Sequence, residues 1–184
     1  AAMKLVTFEP TAAPSQASVP AGPRIGVVVA DPGADAEQAP ILDIVTAVRH
    51  SEQAAGRASD SDAIASRCGR DMIGLIERQD TALPAVRSLL AQALAGDLPS
   101  TFAGASLIWP RSQVRLLSPI PRPLSMRDGY AFRQHVEAAR RNRGLPMIPE
   151  FDEIPIFYYT NHLSVLGPGP VRVRPMHLDQ LDYE

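Results

Sequence analysis

The chain has 184 residues, a formal net charge of −2, and a composition that is 45% hydrophobic and 21% charged. These values describe a folded protein with a core of its own and give no basis for binding nucleic acid or an anionic membrane surface. A lone cysteine, Cys68, excludes an internal disulfide and a cysteine zinc site, and no apolar run approaches the roughly 18 residues of a membrane span, so a cytoplasmic protein is expected.

The prolines, 18 in all, mark the element boundaries. Residues 4–8 alternate as a short strand, and 24–30 (Arg-Ile-Gly-Val-Val-Val-Ala) read as a second. Between Pro10 and Pro23 the chain is rich in alanine, serine and proline and reads as a loop. Ile41, Ile44, Val45 and Val48 have helical spacing, which predicts a helix over 41–50 with Pro40 at its first position. Two further helices are predicted over 62–78 and 85–95. Asp60, Asp62 and Asp71 read as helix-capping and surface acids, and nothing in 1–115 looks like a site. A strand at 114–117 leads to Pro119-Ile-Pro-Arg-Pro123, a stiff connector that cannot continue a helix. The domain boundary is placed there, giving domains of 1–115 and 116–184.

The most informative stretch follows: Leu124-Ser-Met-Arg-Asp-Gly-Tyr-Ala-Phe-Arg-Gln-His135. Ser125 and Asp128 suit the opening of a helix, Arg140, Arg141 and Arg143 suit its last turn, and Gly144 with Pro146 stops it. The pattern predicts a helix over 125–143 in which Asp128 and His135 share one face, about 10 Å apart along the axis. A cation ligand and a proton-transfer group could then serve one cleft. On spacing alone, Asp128 reads first as a cap and His135 as a satisfied core or interface histidine. Beyond the helix, 155–160 and 171–174 have strand-like composition, and Tyr158 and Tyr159 point to opposite faces. His162 and His177 have no close ligand spacing with Asp179 or Asp182 and read as loop histidines.

These motifs occur in a fixed order: Pro119–Pro123, the helix, Arg140-Arg-Asn-Arg-Gly144, Met147-Ile-Pro-Glu150, Ile154-Pro-Ile-Phe-Tyr-Tyr-Thr160, Gly167-Pro-Gly169 and Leu181-Asp-Tyr-Glu184. Together they resemble the fumarylacetoacetate hydrolase family in its larger form, densely over 115–184 and loosely before that. The resemblance implies an α+β chain, with a small N-terminal α/β domain followed by the first part of a mixed β-roll. It also implies a divalent cation, magnesium first and calcium or manganese next, held by carboxylates. Asp128 matches the family's first metal ligand and Glu184 the first glutamate of its Glu-x-Glu pair. His135 matches the histidine that activates water, and Tyr130 and Tyr158 match substrate-contacting tyrosines. Arg140, Arg141 or Arg143 stands where an arginine holds a substrate carboxylate, with Arg140 and Arg143 carried forward. The remaining family ligands fall beyond Glu184, so the catalytic domain is expected to be cut short and the chain inactive by itself.

The residue types suit that chemistry. A 1,3-dicarbonyl acid chelates a hard cation through two oxygens, and a carboxylate shell selects such a cation over zinc. A histidine near neutral pKa can take a proton from water, and an arginine fork suits a carboxylate tail. The leading expectation is a metal-dependent hydrolase that cleaves a carbon–carbon bond in acylpyruvates or fumarylacetoacetate-like acids, as a homodimer. A decarboxylase, isomerase or hydratase of the same family is the alternative, and a non-catalytic interaction module is a third reading.

Overall fold

The computed structural model describes residues 3–11, 22–31 and 37–181. Short stretches of β-formers in the first hundred residues pair with one another. The strand β1 (Leu5–Pro10) pairs antiparallel with β2 (Arg24–Val28), with Leu5 opposite Val27 and Phe8 opposite Arg24. Next comes β3 (Ile41–Asp43), followed by the helices α1 (Ile44–Ala54), α2 (Ser61–Cys68), α3 (Met72–Glu77) and α4 (Gln79–Ala95). The two-residue strands β4 (Thr101–Phe102) and β5 (Ala105–Ser106) form a hairpin, then β6 (Ile108–Trp109) and β7 (Val114–Leu116) complete the main sheet. That sheet is curled, antiparallel and ordered β6-β3-β2-β1-β7. Residues up to Pro121 and from Leu166 onward form one compact unit, and Arg122–Val165 form another. The architecture is α+β.

The two faces of the sheet bury different residues because strand side chains alternate. Ile25, Val27 and Leu42 join Ile44, Val48, Leu75, Val86 and Leu89 in the larger core, which the helices build. Phe8, Ile41, Trp109 and Val114 pack together in a smaller cluster. Thr7, itself buried, donates from Oγ1 to the Pro119 carbonyl at 2.6 Å, which ties the proline-rich connector to β1.

Three helical expectations change. Residues Ile41–Asp43 are a strand, because Ile41 and Leu42 fall into opposite clusters, as a period of two demands; α1 starts at Ile44, and its N-cap is Asp43 rather than a site near Pro40. The helix expected over 62–78 is broken into α2 and α3 at Gly69, which has φ 75°. There a Cβ would come within 2.3 Å of the Gly74 carbonyl carbon, so only glycine permits the turn. The last helix begins at Gln79, ahead of its expected start, and runs through Pro84, because Ala82, Val86 and Leu89 are buried along it. Asp60 and Asp71 do cap helices, accepting from Ala63 N at 2.9 Å and Gly74 N at 2.8 Å. The expected strand at 171–174 is absent, and these residues are exposed and unpaired in any sheet. Among the described residues no helix is long and apolar enough to cross a membrane.

Two arginines meet one buried acid at the end of α1. Glu52 accepts from Arg57 Nε and Nη2 at 2.8 and 2.7 Å and pairs with Arg67 of α2 at 2.6 Å. The hydrogen bond from Arg57 pulls the Glu52 carboxyl below its ordinary value; burial opposes this, and the charges of Arg57 and Arg67 add to the lowering. A carboxyl lowered in the folded state stabilises the fold above its unfolded pKa, and that contribution disappears as pH falls through the folded value. Glu52→Gln is therefore expected to lower stability at neutral pH and to flatten the acid limb of the stability profile. Urea midpoints taken from neutral to acid pH test this, and an acid limb as steep as the parent's would remove Glu52 from the account.

Candidate functional site

The second unit is built on a strand pair of which one member falls within the expected 155–160 strand and the other was not expected. Here β8 (Arg127–Gly129) pairs antiparallel with β9 (Phe157–Tyr159), and α5 (Arg133–Asn142) follows the first strand. The register sets Arg127 opposite Tyr159, Asp128 opposite Tyr158 and Gly129 opposite Phe157. Tyr130 N donates to the Ile156 carbonyl at 3.1 Å, and Thr160 N to the Met126 carbonyl at 3.2 Å, extending the ladder at both ends.

This overturns the expected helix over 125–143. Asp128 lies on a strand, the helix opens at Arg133 with Phe132 as N-cap, and the i, i+7 face shared by Asp128 and His135 does not exist. A partner some thirty residues away in sequence claims the backbone of Arg127–Gly129, and no local pattern reports such a partner. The C-terminal end is as expected. Arg140 and Arg141 occupy the last turn, Gly144 has φ 68°, and Leu145 N closes onto the Arg140 carbonyl at 2.9 Å.

Strand alternation sorts the hairpin side chains into two sets. In one, Asp128 sits across from Tyr158, and the hydroxyls of Tyr130 and Tyr158 are 3.3 Å apart. Their rings meet edge to face at 5.8 Å. In the other, the Arg127 guanidinium lies 5.3 Å from the Phe157 ring centre and 5.1 Å from that of Tyr159, a cation–π arrangement the sequence reading missed. An Arg on a strand paired with a Phe-x-Tyr, whose two rings share its face, is the signal that could have found it.

The Tyr158 phenol is held above its ordinary pKa. The hydrogen bond with Tyr130 is the largest cause, the interaction with Tyr130's charged form and burial add to it, Arg143 opposes it, and Asp128 reinforces it. Like any tyrosine, Tyr158 is protonated at neutral pH, and within its pair with Tyr130 either hydroxyl can donate. The two arginines carried forward differ. Arg140 spends its Nε on the Pro146 carbonyl, pinning the turn after α5, while Arg143 is the arginine whose charge reaches Tyr158. Arg133 is also engaged, with Glu137 at 2.9 Å and with Asp152.

Asp128 is exposed, and no described residue donates a hydrogen bond to its carboxylate. His135 sits in the first turn of α5, exposed, and is not the packed core histidine that spacing alone left open. Asp128, Tyr130 and Tyr158 are therefore brought together on the hairpin, while Arg140 is occupied elsewhere. Glu184, the second expected metal ligand, lies outside the described residues, and so do residues 12–21 of the expected loop. Among the described residues no three histidine, cysteine or acidic side chains group as a metal site. No protein-family model and no curated protein matches the chain.

Proposed function

We propose that the chain carries part of a fumarylacetoacetate hydrolase-type site, which cleaves a carbon–carbon bond in an acylpyruvate or related 1,3-dicarbonyl acid. The observation that supports this reading is the placing of an unpaired carboxylate, Asp128, opposite a protonated tyrosine, Tyr158, with Tyr130 bonded to it and the Arg143 charge nearby. The donor type fits a hard cation such as magnesium, because Asp128 offers oxygen and no thiolate competes. Asp128 alone is short of the donor number such a cation takes, and on this reading Glu184, outside the described residues, is a second ligand. When bound, the cation polarises the two substrate oxygens. The rest falls to side chains of this chain. Arg143 holds the substrate carboxylate, Tyr158 and Tyr130 donate to substrate oxygens, and His135 takes the proton from the attacking water. Leaving as a carbanion stabilised next to a carbonyl, the other fragment accepts a proton, so no covalent enzyme intermediate is needed.

Exposed apolar side chains in this unit, Leu124 at 89%, Phe132 at 76% and Tyr159 at 74%, support the view that more polypeptide covers it, either further roll or the second copy of a homodimer. Asp128→Ala in the protein with its full ligand set is expected to abolish both magnesium binding and turnover. Titration calorimetry measures the first, and unchanged magnesium affinity would remove Asp128 from the metal shell. The 184-residue chain by itself should bind magnesium weakly and release no pyruvate from acetylpyruvate.

A further inference from the structure

The first unit contains a cavity of about 340 Å³ in a region where the sequence suggested no site. Arg24, Asp43, Thr46, Arg49, Ile64 and Phe102 contribute to its lining. That volume is in the range of small-molecule pockets, as is the mixture of apolar walls with few polar groups. Its polar groups are not equivalent. Arg24 is satisfied, bonding Asp43 through Nε and the Thr46 hydroxyl through Nη2 at 3.1 Å. Asp43 in turn accepts from Thr46 N at 2.9 Å, so this pair is charge-neutral and closed. Arg70, also in the lining, pairs with Asp62 at 2.6 Å.

Arg49 is different. It lies on the same face of α1 as Val45 and Thr46, which also line the cavity, and its Nε is buried with no hydrogen-bond acceptor among the described residues. A guanidinium does not lose its proton, so the site holds a permanent positive charge and an unanswered donor. Burying such a donor is unfavourable unless an acceptor arrives. One charge, a fork of donors and walls such as Ile64 and Phe102 describe what would fit. We infer that this cavity binds a small organic carboxylate, its oxygens on the Arg49 guanidinium and its apolar body against Ile64 and Phe102. A monocarboxylate balances the one uncompensated cation, whereas a phosphate dianion would overbalance it. The site is independent of the hairpin of Asp128 and Tyr158, so failure of either reading leaves the other standing.

Benzoate is a suitable probe, titrated into the whole 184-residue chain by calorimetry or by chemical shift. Saturable binding is expected, with benzamide, its neutral counterpart, weaker by about tenfold or more because the charge-assisted bonds are lost. Arg49→Met should weaken benzoate by a similar factor. It should also abolish the rise in melting temperature that benzoate gives the parent, without lowering the melting temperature of the ligand-free protein. Arg49→Lys, which keeps the charge and loses the fork, should fall between the two and serves if the Met variant folds poorly. Absence of saturable benzoate binding at millimolar concentrations overturns the proposal. So does equal binding of benzamide, or full retention of affinity in Arg49→Met. Tighter binding of phenyl phosphate than of benzoate would overturn the carboxylate assignment.

Discussion

Replacing Asp43 by alanine is expected to destabilise the first unit by about 3–5 kcal/mol, the cost of leaving a buried charge without its partner. The Asp43 side chain is fully buried, while that of Arg24 is 11% exposed. Truncation strands the Arg24 guanidinium and removes the acceptor for Thr46 N, so α1 loses its N-cap at the same time. Trp109 lies on β6, which pairs with the Ile41 and Leu42 positions of β3, so its fluorescence in a urea titration reports on this part of the sheet. Removing both partners should cost less than removing Asp43 alone, because no charge is then left buried. If Arg24→Met with Asp43→Ala costs the sum of the two single changes, the pair is not coupled and the account is mistaken.

If the proposed hydrolase reading holds, His135→Ala is expected to slow turnover by about 10²–10⁴, the range for loss of a general base. Metal affinity should stay nearly unchanged, since the proposal gives His135 the proton and not the cation. Its exposed place in the first turn of α5 adds a second expectation: stability should move by no more than about 0.5 kcal/mol, as for ordinary surface substitutions. Steady-state kinetics, magnesium calorimetry and urea denaturation on one protein separate the outcomes. Lost magnesium binding would make His135 a ligand, and unaltered turnover would end its catalytic assignment.

Motif resemblance named the candidate residues, while the local geometry expected for them was overturned. Asp128, Tyr130, Tyr158 and the arginines were marked by motif resemblance, and the alternation of Tyr158 and Tyr159 agrees with the partners each one finds. The helix over 125–143 was drawn from Ser125 and Asp128 as capping residues, yet Ser125 lies outside any element and Asp128 is drawn into a strand by pairing with Phe157–Tyr159. That Arg140 is engaged could not be read from spacing, because the turn after α5 brings the Pro146 carbonyl to it. The cavity around Arg49 left no trace in the sequence at all. Its lining comes from β2, α1, α2 and the β4–β5 hairpin, none of which is adjacent in sequence to all the others.

By itself the sequence determined what depends on neighbours within a few positions. Cap and stop residues such as Asp60, Asp71 and Gly144, the strand character of β1, β2 and β7, and the break imposed by Pro119–Pro123 follow from backbone preferences that each residue carries with it. Tertiary structure decided the rest. Ile41–Asp43 became a strand because β2 and β6 flank it, and Asp128 came to face Tyr158 because an antiparallel register placed it there. Arg24 came to rest on Asp43 through the pairing of β2 with β3. In each case the deciding energy lies in contacts between residues far apart along the chain, which local spacing does not encode.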